Sequence, residues 1–132
     1  MAKILIVDDS PVILRLLHQA LKAEHDITIC KDSIQGVELA QNELPDIILL
    51  DVIMPDLTGL EALLFLKNNA KTRSIPVILI SAKDTADDEA RGYKAGATDY
   101  IRKPFDAGVV RHKVNYALEF ERMKLKIQQG EG

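Results

Sequence analysis

At 132 residues the chain is long enough for one compact domain with a buried core and too short for two. A hydrophobic fraction of 47% and a charged fraction of 28% are ordinary for a soluble globular protein, and a formal net charge of -3 without a dense basic stripe argues against direct nucleic-acid binding. No stretch approaches the roughly 20 apolar residues of a membrane span, and "MAKILIVDD" meets acids too early for a signal peptide, so the expected place is the cytoplasm.

Strands and helices then alternate. "KILIV" (3–7) predicts a first strand, broken by "DDSP". Ser10 can cap a helix that starts on Pro11, where a missing N–H costs nothing. That helix is expected to reach about Ala23, with Ile13, Leu16, Leu17, Ala20 and Leu21 on one face. "DITIC" (26–30) is the second strand; Cys30, the one cysteine, cannot form an internal disulfide and reads as a small buried apolar residue suited to a reducing compartment. In "DSIQGVELAQNEL" Ile34, Val37, Ala40 and Leu44 recur at helical spacing until Pro45. "DIILL" (46–50) is the most apolar strand. Thr58 or Asp56 can open the third helix, whose broad apolar side is Leu60, Leu63, Leu64 and Leu66. "PVILIS" (76–81) is a fourth strand, and a weak, polar helix follows over roughly Asp84 to Ala95 with Ala86, Ala90 and Tyr93 inward. "ATDYIRK" (97–103) is the fifth strand, and Asp106 opens a long last helix. Such alternation, with near-continuous apolar strands, predicts an α/β fold: a doubly wound five-stranded parallel sheet with helices on both faces.

In an open sheet of this kind the site lies beyond the carboxyl ends of the strands. The residues there are Asp8 and Asp9 after the first strand, Asp51 after the third, Ser81 after the fourth and Lys103 after the fifth. Three clustered carboxylates repel one another and hold protons more tightly unless positive charge lies among them. A hard divalent cation, Mg2+ (or Mn2+), meets that need, since it takes carboxylates, waters and phosphate oxygens as ligands. Lys103 adds a cationic point charge for an anionic group, and Ser81 a hydroxyl donor. This is an inventory for phosphoryl transfer, with a carboxylate able to attack phosphorus; if Asp51 is that nucleophile, the product is an aspartyl phosphate. His18, His25 and His112 show no metal-ligand spacing and read as surface residues, while Met54 and Pro55 read as loop-shaping.

The stretches "ILIVDDSP", "PDIILLDVIMPDLTGLE", "VILISA" and "GATDYIRKPF", in this order and spacing, resemble the receiver domain of two-component response regulators over roughly residues 2 to 120. The resemblance implies the flavodoxin-like strand order 2-1-3-4-5. It implies that Asp51 accepts the phosphoryl group. Asp8 and Asp9 would bind the metal, Asp9 favoured as the direct ligand, together with Asp51 and the backbone carbonyl of Ile53. Lys103 would pair with the phosphoryl group and, before phosphorylation, with Asp51. Ser81 would be the switch hydroxyl, Tyr100 the aromatic switch behind it, and Ala82 a backbone N–H donor to a phosphoryl oxygen. The Lys103-Pro104 bond would be cis. Ser stands at 81 where Thr is commoner, which keeps the hydroxyl. Ile53 and Lys83 occupy variable positions beside the path of an attacking water; an apolar Ile53 cannot orient that water, so slow self-dephosphorylation is expected. The implied partner is a histidine kinase or phosphotransfer protein. Phosphorylation would remodel the face formed by the fourth helix, fifth strand and fifth helix, where Lys94, Asp99 and Arg102 are expected contacts, and so control an output domain or partner.

Residues 1–120 are thus expected to form the receiver and 121–132 a helical extension or linker cut from a longer protein, with "GEG" (130–132) breaking the helix. In the last helix Val110, Val114 and Ala117 suffice for packing on the sheet, yet Tyr116, Phe120, Met123 and Ile127 continue at four-three-four spacing. They read either as a tail covering core edges or as a short coiled-coil seam. A homodimer through that helix or through the fourth helix, fifth strand and fifth helix is therefore expected. Two other functions compete. A pseudo-receiver that only mediates contacts would be expected to lose an acid or the lysine, and all are kept. An aspartate-dependent phosphatase of the haloacid dehalogenase type would resemble D-x-D after the first strand, where this chain has "DDS", and would carry a cap insertion. The expected activity is therefore that of a switch whose only catalysis is its own phosphorylation and dephosphorylation.

Overall fold

The computed structural model describes residues 1–82 and 86–130. Among them the elements run β1 (Lys3–Val7), α1 (Pro11–Leu21), β2 (Asp26–Cys30), α2 (Ser33–Glu43), β3 (Ile47–Asp51), α3 (Gly59–Lys67), β4 (Val77–Ser81), α4 (Ala86–Lys94), β5 (Asp99–Arg102) and α5 (Ala107–Gln128). Local chemistry sets the helix starts. Ser10 Oγ accepts from the Ile13 N–H at 3.4 Å with Pro11 in the first turn, and Asp32 accepts from Ile34 and Gln35. Thr58 and Glu61 form a reciprocal capping box at α3, and Asp106 accepts from the Gly108 N–H at α5. The second helix ends on Leu44, at φ 49°, just before Pro45.

The five strands form one parallel sheet in the order β2-β1-β3-β4-β5. Register aligns the carboxyl ends: Val7 lies beside Leu50, Asp51 beside Ile80 and Ser81 beside Arg102. Strand periodicity sorts the core into two halves. Ile4, Ile6, Ile47, Leu49, Ile78 and Ile80 pack under α1 and α5, against Leu14, Leu17, Leu21, Val110 and Val114. Leu5, Val7, Ile48, Leu50, Val77 and Leu79 pack on the other face, against Ala40, Ala62, Leu63 and Leu66. Cys30 is buried, as its sequence context predicts.

The inner faces of the helices differ from the sequence expectation at several positions. In α1 Leu14 is buried and Leu16 faces solvent. In α2 Ile34 and Leu44 are exposed, and the buried face is Ser33, Gly36 and Ala40. The reason is close approach: a Cβ on Gly36 would come within 2.8 Å of a Val7 methyl. Leu64 of α3 is exposed, while Gly59, Ala62, Leu63 and Leu66 are buried. In α4 Ala90 and Tyr93 point outward, because Gly92 is the residue set against the sheet; a Cβ there would meet Leu79 Cδ1 at 2.7 Å. In α2, α3 and α4 small residues, which hydrophobic periodicity undervalues, carry part of these contacts. Asp84, Lys83 and the end of the "GEG" triplet lie outside the described residues. The last helix runs unbroken from Ala107 through Gln128. Among the described residues no helix is long and apolar enough to cross a membrane.

Candidate phosphoryl-transfer site

At the carboxyl ends of β1, β3, β4 and β5 the structure brings together the residues singled out in the sequence. Asp8 and Asp51 are buried, at 1% and 4% exposure, and Asp9 is exposed beside them. One carboxylate oxygen from each of Asp8, Asp9 and Asp51 lies within 4.8 Å of the others. Lys103, on the loop after β5, reaches in from the opposite side: its Nζ stands 3.1 Å from Asp8 Oδ2 and 3.4 Å from Asp51 Oδ2. The second oxygens are held by backbone. Asp8 Oδ1 accepts from the Ser10 N–H at 2.9 Å, and Asp51 Oδ1 accepts from the Ile53 N–H at 3.3 Å. The Lys103-Pro104 peptide is cis, and the Lys103 N–H donates to the Ser81 carbonyl at 2.9 Å. Ser81 is buried at the end of β4, while Ala82 and Ile53 are exposed at the mouth.

Three carboxylates face one ammonium group, so the cluster is short of positive charge. Asp51 registers the imbalance. Burial first, and then the neighbouring Asp8 charge, push its pKa up to about 6, against the downward pull of Lys103 and the Ile53 N–H. An all-oxygen donor set, partly buried and open on the Asp9 side, fits a hard divalent cation better than a soft one. Among the described residues it is the one grouping of acids, histidines or cysteines close enough to share an ion.

Residues 4–115 match the family model described as the response regulator receiver domain. The chain belongs to that family. This receiver is 40% identical over 119 residues to Protein PilH of Pseudomonas aeruginosa, a match that covers 89% of this chain and 98% of PilH. It is 37% identical over 131 residues to response regulator PleD of Caulobacter vibrioides, covering 98% of this chain and 29% of PleD. The crystal structure of a CheY-like receiver domain protein from Methanospirillum hungatei JF-1 superposes with a TM-score of 0.87 at 25% identity, over 94% of this chain and 98% of that one. Receivers belong to two-component signalling, bind Mg2+ at an acidic pocket and work with histidine kinases or phosphotransfer proteins, and this chain holds an acidic cluster of Asp8, Asp9 and Asp51.

Other parts of the receiver depart from a reading of single residues. Tyr100 is 3% exposed, its ring 3.7 Å from the Cβ position of Gly92, so the aromatic lies in the core. Asp99 and Arg102 are engaged within the chain. Asp99 Oδ1 accepts from the Lys113 Nζ at 3.0 Å and from the Tyr93 hydroxyl at 3.3 Å, and Arg102 pairs with Glu89 at 2.9 Å. Lys113 also donates to the Tyr100 carbonyl at 3.0 Å, tying α5 to the backbone of β5. No sequence signal marked Lys113, because its partners lie 13 and 14 residues away. His25 is a correction: it is half-buried, with Nδ1 accepting from the Ala2 N–H at 3.1 Å and Nε2 3.0 Å from Asn115 Oδ1. His18 and His112 are exposed as expected. Gly59 escaped the sequence reading too. A Cβ there would run into the Asp51 carbonyl, and the Gly59 N–H donates to Val52 O at 2.8 Å, so this glycine lets α3 close against the end of β3.

Proposed function

We propose that this receiver is a phospho-accepting switch that takes a phosphoryl group from a histidine kinase or phosphotransfer protein onto Asp51. One observation carries the reading: a buried carboxylate at the end of β3 sits between two further carboxylates and a lysine 3.4 Å away. A pKa of about 6 leaves Asp51 mostly ionised at pH 7 and more basic than an ordinary carboxylate, which favours attack. In the transfer a carboxylate oxygen of Asp51 bonds to phosphorus as the P–N bond of the donor phosphohistidine breaks, and the electron pair leaves with the imidazole. Asp8 and Asp9, Asp51 itself and the Ile53 carbonyl would hold Mg2+ or Mn2+, with Asp9 open to solvent as a direct ligand. The ion, when bound, neutralises charge on the transferring oxygens.

The chain's own groups do the rest. Lys103, already bridging Asp8 and Asp51, turns to a phosphoryl oxygen as a second cation. The Ala82 N–H and Ser81 hydroxyl, at the end of the neighbouring strand, supply donors to the remaining oxygens. Ser81 and the Tyr100 behind it then bias the α4-β5-α5 face toward a second arrangement that an output domain or partner reads. In this reading residues 1–120 are the receiver and 121–132 extend it toward that output, through a helix that also offers a surface for a homodimer. The test is intact mass after incubation with a small-molecule phosphodonor, with and without Mg2+, beside Asp51→Asn. A single phosphoryl addition that needs the metal and is lost in the variant supports the proposal. No addition under any condition makes the protein a pseudo-receiver.

A further inference from the structure

The last helix carries a second apolar stripe with no part in the core. Val109, Tyr116, Phe120, Met123 and Ile127 are each between 44% and 66% exposed, although all lie on one regular helix that continues to Gln128. At 100° per residue their mean direction is about 115° around the helix from Val110, Val114 and Ala117, which face the sheet. The domain therefore buries one flank and presents the other along its whole length.

The spacing of that flank is a heptad. Val109, Tyr116 and Met123 fall on d, while Phe120 and Ile127 fall on a, with Lys113 at the a position between Val109 and Tyr116. We infer that a second copy of this chain packs its α5 seam against the same seam in a parallel, in-register pair. Charge supports that occupant. In a parallel pair each g residue faces the e residue of the partner five positions on, and here g is Glu119 and e is Lys124. Two attractive pairs, one on each side, then flank the Phe120 and Met123 layers. Lys113 at its a position is already neutralised by Asp99 at 3.0 Å, so it enters the seam without an unpaired charge. The direction follows from Val109 and Glu119 together. An antiparallel pair that stacks Tyr116 on Ile127 sets Lys113 against Gly130, beyond the end of the partner's helix at Gln128, and leaves Val109 uncovered. The antiparallel pair that stacks Val109 on Ile127 covers the stripe but sets Glu119 against its own copy, like charge on like. A parallel pair covers all five apolar residues and sets Glu119 against Lys124. Two heptads are marginal for free peptides, but this helix is held in shape by its own domain, so little ordering cost remains on association.

The inference deepens the homodimer in the function proposed above without depending on phosphoryl transfer. Sedimentation of the unphosphorylated full chain at tens of micromolar should show a dimer, and Phe120→Glu and Ile127→Glu should each weaken it tenfold or more. Both sites are exposed, so the variants should keep the wild-type circular dichroism. Glu119→Lys should weaken the dimer severalfold, and adding Lys124→Glu should restore it. Direction is read by oxidative cross-linking. Ile127→Cys should cross-link to itself, because only a parallel pair brings the two Cα atoms within about 7 Å, whereas an antiparallel pair separates them by about 16 Å. Wild type, whose Cys30 is buried, is the control. A monomer at all concentrations, a dimer insensitive to Phe120→Glu, or cross-linking of Ile127→Cys only to Tyr116→Cys or to Val109→Cys would overturn the inference. Asp51 labelling of the Phe120→Glu variant reads the phosphoryl-transfer proposal separately.

Discussion

The carboxyl end of the sheet and the tail of α5 are built from the same residue types, acids and lysines a few ångströms apart, yet they behave as opposites. At the sheet end Asp8 and Asp51 are buried, with Lys103 at 3.1 and 3.4 Å. On α5 the pairs Glu119–Arg122 and Glu121–Lys124 join residues three apart at 3.5 and 3.1 Å, and most of these side chains face solvent. Water screens the second set, so within one chain each pair adds little to folding stability. In the first set few waters reach the charges, so acids and lysine depend on one another. Proximity alone says nothing about function; burial with a charge imbalance does.

The comparison can be broken most decisively at Lys103. Lys103→Met should leave Asp8 and Asp51 without their cation, cost roughly 2–3 kcal/mol in urea unfolding, and reduce phosphodonor labelling by at least about 100-fold. A change of a few tenths would mean that the site is as well screened as the α5 surface. Next in size is Gly59→Val. The side chain would strike the Asp51 carbonyl, and a loss of roughly 2–3 kcal/mol with weakened labelling is expected.

Asp51→Asn should act in the other direction on stability. An Asp whose folded pKa is about 6, against 3.8 in a model peptide, binds its proton more tightly when folded. Its contribution is therefore fully present below about pH 4 and is lost as pH rises through about 6. At neutral pH the ionised group strains the fold. With a discount for partial solvent screening, the variant should gain about 1–2 kcal/mol at pH 7.5 in chelator, and the gain should shrink steadily toward pH 4. A pH-independent gain would show that the carboxylate is not perturbed. A finer change is Ile53→Asn, which should speed loss of the phosphoryl group severalfold, to roughly tenfold, by orienting a water; an unchanged lifetime removes that role. The smallest effect belongs to the exposed pair: Arg122→Ala should alter stability by less than about 0.5 kcal/mol at any salt concentration.

Most of the fold and most of the convergence at the candidate site are legible in the sequence, for one reason. A buried parallel strand must be a run such as "IILL", and a chain of such runs with helices between them fixes where the polar strand ends converge. That pattern places Asp8, Asp51, Ser81 and Lys103 together. The helices were read less well. Their contact with the sheet is set by Gly36, Gly59 and Gly92, where nothing larger fits, and a search for apolar periodicity passes over glycine. So apolar periodicity turns Ile34, Leu64 and Tyr93 inward, whereas they lie outward in the structure; Leu16 lies outward too, because Leu14, Leu17 and Leu21 fill the inner face of α1. His25 and Lys113 were missed because each is defined by partners that only the folded chain supplies.

Gly92 has one more consequence. Because α4 meets β4 and β5 closely at Gly92, where a Cβ would come 2.7 Å from Leu79 Cδ1 and 3.7 Å from the Tyr100 ring, any side chain there would wedge the helix away from the sheet. The Glu89–Arg102 pair and the Tyr93–Asp99 hydrogen bond would be stretched with it, so one missing side chain keeps the polar ties between α4 and β5 within reach.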